Sequence, residues 1–336
     1  MLNIDLLKQL TSNPSPSGYT HYQIEFIKNY LTDLGYNPFM NQKGNLFVEV
    51  KGKNDYKIAL SSHVDTLGLM IRSISGDGKI FFTQIGGPIL NTYDGEYCKI
   101  HTRDGKVYTG TVLSLSPSVH VYKDARSLER SEATMYIRID EVVKTKKDVE
   151  DLGIQVGDFI SIDPKFEYTE SGFVKTRFLD DLASAFLLLE LLKEIKDNNI
   201  VPENTLLFAF TTYEEVGHGC SHLPDVDEML VVDMGCIGKD LTCTEEMVSI
   251  CAKDGSGPYD YMMTSKLINL AKENNINYAV DVYPFYSSDG SAALRGGNDI
   301  KCALIGSGIH ASHGMERTHI NGLNNTYKLI KLYINL

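Results

Sequence analysis

Residues Lys57–Gly68 read KIALSSHVDTLG. The apolar run Ile58-Ala59-Leu60 reads as a buried strand that ends in a histidine and an aspartate. Positions i and i+2 of a strand share a face, so His63 and Asp65 project together from its carboxyl end. Open α/β sheets bind their ligands along that edge. A metal ligand backed by a carboxylate is one reading of the pair. A polar strand end on an ordinary loop is the other, and the stretch alone leaves both open.

On either side of this stretch the texture of the chain differs. Upstream, His21–Leu34 reads as an amphipathic helix with Ile24, Ile27 and Leu31 on one face and Gly35 at its end. Asn45–Val50 reads as a strand. Downstream of Gly68, residues 69–171 are short β-type runs with turn punctuation at Gly76-Asp77-Gly78 and Arg103-Asp104-Gly105. Lys106–Val112 and Thr134–Ile139 alternate as half-buried strands do. An all-β block inside an α/β chain predicts an inserted barrel-like domain, with 1–68 and 172–336 forming the main domain.

Helical texture resumes at Leu182, in a run apolar nearly all round, as a buried helix is. Strands at 205–211, 229–233, 277–282 and 301–305 then alternate with helices at 261–274 and 321–333. That alternation predicts an α/β fold with a mainly parallel mixed sheet.

The chain has 336 residues, is 43% hydrophobic and carries a net charge of -12. No Lys/Arg-rich block longer than Lys144-Thr145-Lys146-Lys147 occurs, which argues against a nucleic-acid partner. No apolar run is long enough to span a bilayer, and the first residues lack the pattern of a secretion signal. The six cysteines show no CxxC spacing, so reduced thiols and a cytoplasmic setting are expected.

Several predicted strand ends carry the same kind of residue as His63. Asp180-Asp181 precede the buried helix. Glu214-Glu215 follow Leu206–Thr212, Asp233 ends Leu230-Val231-Val232, and His313 lies in GIHASHGMERTH. Each has an ordinary reading: a helix cap, solvated loop acids, a strand terminator, a satisfied loop histidine. What those readings leave unexplained is their recurrence on strand ends that one sheet would bring together. Converging carboxylates are costly unless a cation neutralises them. Two divalent ions would do so, and nitrogen and oxygen donors without cysteine suit Zn²⁺, Co²⁺ or Mn²⁺. One of two adjacent glutamates could then bind metal while the other moves a proton.

With these anchors in place, the chain resembles the M42 metallopeptidases, the TET-type and glutamyl-type aminopeptidases, and the wider clan of co-catalytic zinc exopeptidases. The likeness runs from Asn13-Pro-Ser-Pro-Ser-Gly18 to the last helix through Ser62–Asp65, Leu179–Asp181, Tyr213–Gly217, Val232-Asp233 and the terminal histidine segment. It implies an α/β/α catalytic domain and residue roles. His63 would bind one metal, and Asp180 would bridge both, with a cis peptide to Asp181. Glu215 and Asp233 would complete individual shells, and His313 would serve the second metal. Glu214 would be the general base and Asp65 would orient His63. The insert would mediate assembly into homo-oligomers, from dimers to dodecamers.

There are departures from the family pattern. Thr66 stands where the family often has Glu, Leu182 where it commonly has a basic residue, and His310-Ala-Ser-His313 where many members carry Arg-Tyr-x-His-Ser. Counting from Gly306 selects His313 over His310 as the ligand. Ser287–Gly290 resembles the substrate-pocket loop, which would turn Asp289 toward the bound amino acid. Arg295 and Lys253 are conceivable cationic groups for an acidic substrate side chain. His218 and His222 lack the HExxH glutamate and lie among helix-breaking glycines. The function expected is an aminopeptidase acting on short peptides. A polysaccharide hydrolase, which would need two carboxylates flanking a sugar, and a non-catalytic assembly protein are the alternatives.

Overall fold

The computed structural model describes residues 2–336. A ten-stranded mixed sheet forms the centre of the larger part. Its middle runs Asn204–Thr211, Asn54–His63, Glu228–Val232, Lys301–Ile309, and each of these is parallel to its neighbour. Leu46–Val50 joins one side antiparallel, and Val248–Asp254 joins the other. Beyond it, Tyr278–Val282 runs parallel to Val248–Asp254 and so opposite to the central strands.

The register brings the strand ends level. Thr211 pairs with His63, Val231 with Ser61, and Val232 with Ile305. The carboxyl ends of these strands therefore lie side by side. Their residues alternate between two apolar layers, as the two-residue strand period requires. Ile58, Leu60, Leu206, Phe208, Leu230 and Ile305 face a core built with the helices Ile4–Ser12, His21–Asp33, Leu179–Asp197, Tyr261–Glu273 and Ile320–Tyr333. Ala59, Leu207, Ala209, Met229, Val231 and Leu304 face a thinner layer of loops and the short helix Asp289–Arg295.

Three helices had no counterpart in the sequence reading, Ile4–Ser12, Asp289–Arg295 and the short Lys146–Asp151 within the inserted block. The second begins in the expected loop at Ser288, whose side chain accepts from the Ser291 N–H, an N-cap arrangement. The strand expected at 301–305 continues to Ile309, because its second half pairs with Gly235-Cys236 and Val248-Ser249. Gly306 permits this close approach. A Cβ there would lie 1.5 Å from the Asp233 carbonyl oxygen.

The inserted block closes into a six-stranded barrel. Around it run Gly68–Ile74, Ile80–Ile85, Met135–Ile139, Val107–Ser114, Tyr97–His101 and Phe159–Ile162. The return to the main body is a hairpin, Glu167-Tyr168 with Phe173–Thr176, extended by Glu316–His319. It straddles residue 172, where the sequence texture placed the boundary.

His101 sits at the seam between barrel and body. Its Nε2 lies 2.8 Å from the Ser161 hydroxyl, while Nδ1 is buried without a partner among the described residues. The Tyr19 ring packs 4.8 Å away. Burial, with Lys99 and His21 adding repulsion, pushes its pKa down to about 4. Below its ordinary value near 6.5, the unfolded chain takes up a proton that the folded chain refuses until about pH 4. This residue therefore makes stability fall as pH drops through that window, by up to about 1.4 kcal/mol per pH unit. In urea melts from pH 4 to 7, His101→Gln is expected to show a shallower slope than wild type. Parallel slopes would remove His101 from the account.

Candidate active site

His63 ends its strand almost fully buried. Its Nδ1 lies 2.9 Å from the Asp65 carbonyl oxygen and 3.6 Å from Asp65 Oδ1. Its Nε2 points inward, 3.1 Å from Asp180 Oδ1 and 3.7 Å from Glu214 Oε2. Asp180 opens the long helix Leu179–Asp197 with non-helical backbone angles, and its peptide bond to Asp181 is cis. The other Asp180 oxygen, Oδ2, lies 3.5 Å from His313 Nε2. One carboxylate thus presents an oxygen to each of two histidines that are 250 residues apart in the sequence (313 − 63).

Two donor groups result, each with its donor atoms within 4.8 Å of one another. His63, Asp180 and Asp233 form one, and Asp180, Glu215 and His313 form the other. Glu215 Oε2 lies 3.5 Å from His313 Nε2, while its Oε1 is buried with no hydrogen-bond partner among the described residues. An orphaned carboxylate oxygen inside a cluster of hard nitrogen and oxygen donors is what a divalent cation would satisfy. Glu214 is adjacent and belongs to neither group. Asp65 does more than face His63. Its carboxylate accepts the Glu214 N–H at 3.1 Å, the Glu215 N–H at 3.3 Å and the Ser17 hydroxyl, so it also fixes the turn that presents both glutamates.

The charges point the same way. Burial, with neighbouring carboxylates adding repulsion, pushes Glu214, Glu215 and Asp181 well above the usual carboxylate range. Burial and the Asp180 charge push Asp233 up to about 7. Burial would raise Asp180 too, but the imidazoles of His313 and His63 outweigh it and hold that carboxyl low. His313 behaves inversely: burial would lower it, yet Asp180 and Glu215 push it up to about 10. Two imidazoles face five crowded carboxyls, an imbalance that added positive charge relieves.

His313 joins the cluster and His310 does not, since His310 pairs through its backbone with Arg317 on the exposed side of the loop. His218 stacks on Tyr213 at 5.0 Å and takes no part in either donor group, nor does His222. The expectation for Asp289 is corrected. It lies buried beneath the 212–220 loop, accepting the Cys220 N–H at 2.8 Å and the Thr211 hydroxyl, and braces that loop instead of facing a substrate. Lys253 donates to the Asp254 carbonyl, and Arg295 is exposed at the end of its short helix.

The sequence reading missed three contributors. Glu316 accepts from the backbone of both Asp180 and His313. Gly87, from the barrel, offers its carbonyl oxygen 2.9 Å from His313 Nδ1. Arg177 ties the Gly314 carbonyl to Thr92 of the barrel. Glu316 and Arg177 act on backbone groups and Gly87 through one, so spacing and residue type gave no signal for them.

The sequence profile of the family described as M42 glutamyl aminopeptidase matches residues 44–329. The chain belongs to the M42 family. YhfE of Bacillus subtilis, provisionally designated an aminopeptidase, is 46% identical over 334 residues, covering 98% of this chain and 96% of its own. The glutamyl aminopeptidase of Lactococcus lactis is 26% identical over 216 residues, 63% of this chain and 60% of its own. The Pyrococcus horikoshii TET1 peptidase, described as able to assemble into a tetrahedron or a large octahedral shell, superposes with a TM-score of 0.86. It is 26% identical and the match covers 99% of both chains. M42 membership makes the chain a peptidase of the aminopeptidase kind and implies a divalent metal. Among the described residues, no helix is long and apolar enough to cross a membrane.

Proposed function

We propose that this chain is a binuclear metal-dependent aminopeptidase that removes N-terminal residues from short peptides. The observation that carries the reading is the pair of donor groups sharing Asp180, with Glu214 beside them and outside both. His63 and Asp233 would hold one ion, Glu215 and His313 the other, and Asp180 both. Zn²⁺ or Co²⁺ suits this nitrogen and oxygen set best, with Mn²⁺ a further candidate. Ions held there supply Lewis acidity toward a peptide carbonyl and toward water.

The chain's own groups do the rest. Glu214 takes a proton from the attacking water and returns it to the leaving amine nitrogen, as a general base and then a general acid. Asp65 keeps that carboxylate in place through the Glu214 backbone and steadies His63. The barrel, residues 69–171, would serve subunit assembly, in line with the oligomeric TET1 relative. Six free cysteines fit a reducing, cytoplasmic setting.

The test is to incubate the purified protein with Co²⁺, Zn²⁺ or Mn²⁺ and a mixed peptide library and follow released amino acids by mass spectrometry. Stepwise release from the N-terminus is expected. No release from protein shown to hold two ions per chain would reject the aminopeptidase reading.

A further inference from the structure

We propose that Glu316 is a positioning residue whose single buried carboxylate sets the second half of the metal site, by fixing Asp180 and His313 relative to one another. This rests on the two-ion reading and adds a residue to it. Glu316 opens the strand Glu316–His319 and pairs with Thr176, four residues before Asp180 (180 − 176). This strand pairing thus carries the approach to one ligand alongside the exit from the other. The side chain is 2% exposed. Its Oε2 accepts the Asp180 N–H at 3.1 Å, and its Oε1 accepts the His313 N–H at 3.1 Å.

The geometry calls for a carboxylate in particular. Two N–H donors converge on two oxygens of one group. Glutamine offers one acceptor and one donor, so its amide NH₂ would meet a peptide N–H and leave that N–H buried and unpaired. Aspartate keeps both acceptors but is one methylene short. Burying a further acid beside Asp180 is unfavourable, and the two charge-assisted hydrogen bonds offset part of that cost. Glu316 is in neither donor group, so its work is placement. His313 is the ligand most in need of it. It sits in a loop with φ at +62°, is partly exposed, and is otherwise held through Gly87 and Ile89 of the barrel.

The experiment compares wild type, Glu316→Gln and Glu316→Asp, each stripped of metal and titrated with Zn²⁺ in chelator-buffered solutions, with bound ions counted per chain. Thermal melts of the metal-free proteins run alongside. Wild type is expected to take up two ions. Glu316→Gln should bind one of them roughly 10–100-fold more weakly, with kcat recovering in excess Zn²⁺ and KM little changed. Glu316→Asp should recover part of the lost affinity, and it carries the test if the glutamine variant does not fold. A glutamine variant that melts lower yet fills both sites as wild type does would overturn the inference, leaving Glu316 a merely structural residue. Wild-type protein that never takes up a second ion would instead refute the two-ion reading beneath it.

Discussion

Glu214→Gln is expected to lower kcat/KM for peptide hydrolysis by roughly 10²–10⁴-fold, the range typical for removing a general base, with metal content unchanged. The size follows from chemistry: an amide cannot accept the water proton. The unchanged metal content follows from geometry. Glu214 lies outside both donor groups, and the Asp65 carboxylate holds it through the Glu214 backbone N–H, which the substitution leaves in place. Elemental analysis with steady-state kinetics on one preparation separates the two. Loss of metal in step with activity would make Glu214 a ligand. Full activity would remove it from the mechanism.

The second large effect is metal removal. Treatment with a strong chelator is expected to stop amino-acid release altogether and to lower the melting temperature by several degrees. An ion present at 100 times its dissociation constant stabilises a fold by about 2.7 kcal/mol. The deficit should also grow with pH. In the metal-free chain Asp233 holds its proton up to about pH 7, whereas in the unfolded chain it ionises near its ordinary value of 3.8. The folded state therefore binds more protons across that window, and stability falls as pH rises through it. Calorimetric scans at pH 5 and pH 8, with and without Zn²⁺, measure this directly. A metal-free protein that melts with the metal-loaded one at both values would argue that the carboxyl cluster needs no ion.

Much of this site was legible because strand chemistry is local. His63-Val64-Asp65 announces itself through the two-residue period, and Asp233 through the apolar run before it. The barrel was visible in the change of texture after Gly68. What stayed hidden depends on tertiary contacts. Asp289 read as a pocket residue because Ser287–Gly290 resembles the family's substrate-pocket loop. In the structure Ser288 caps a short helix, and Asp289 turns inward beneath the 212–220 segment. Glu316 and Gly87 were missed because what joins each of them to the site is a main-chain group, and main-chain groups have no residue type to read.

His313 has one further consequence. Its ring meets a carbonyl from Gly87 of the barrel, and its backbone oxygen accepts the Ile89 N–H from the same loop. The half-site around His63 and Asp233 draws on the sheet and on the long helix that carries Asp180, while His313 is held by the barrel as well as by Glu316. On the two-ion reading, deleting the insert to obtain a smaller enzyme is expected to weaken the ion that His313 would hold and to spare the other.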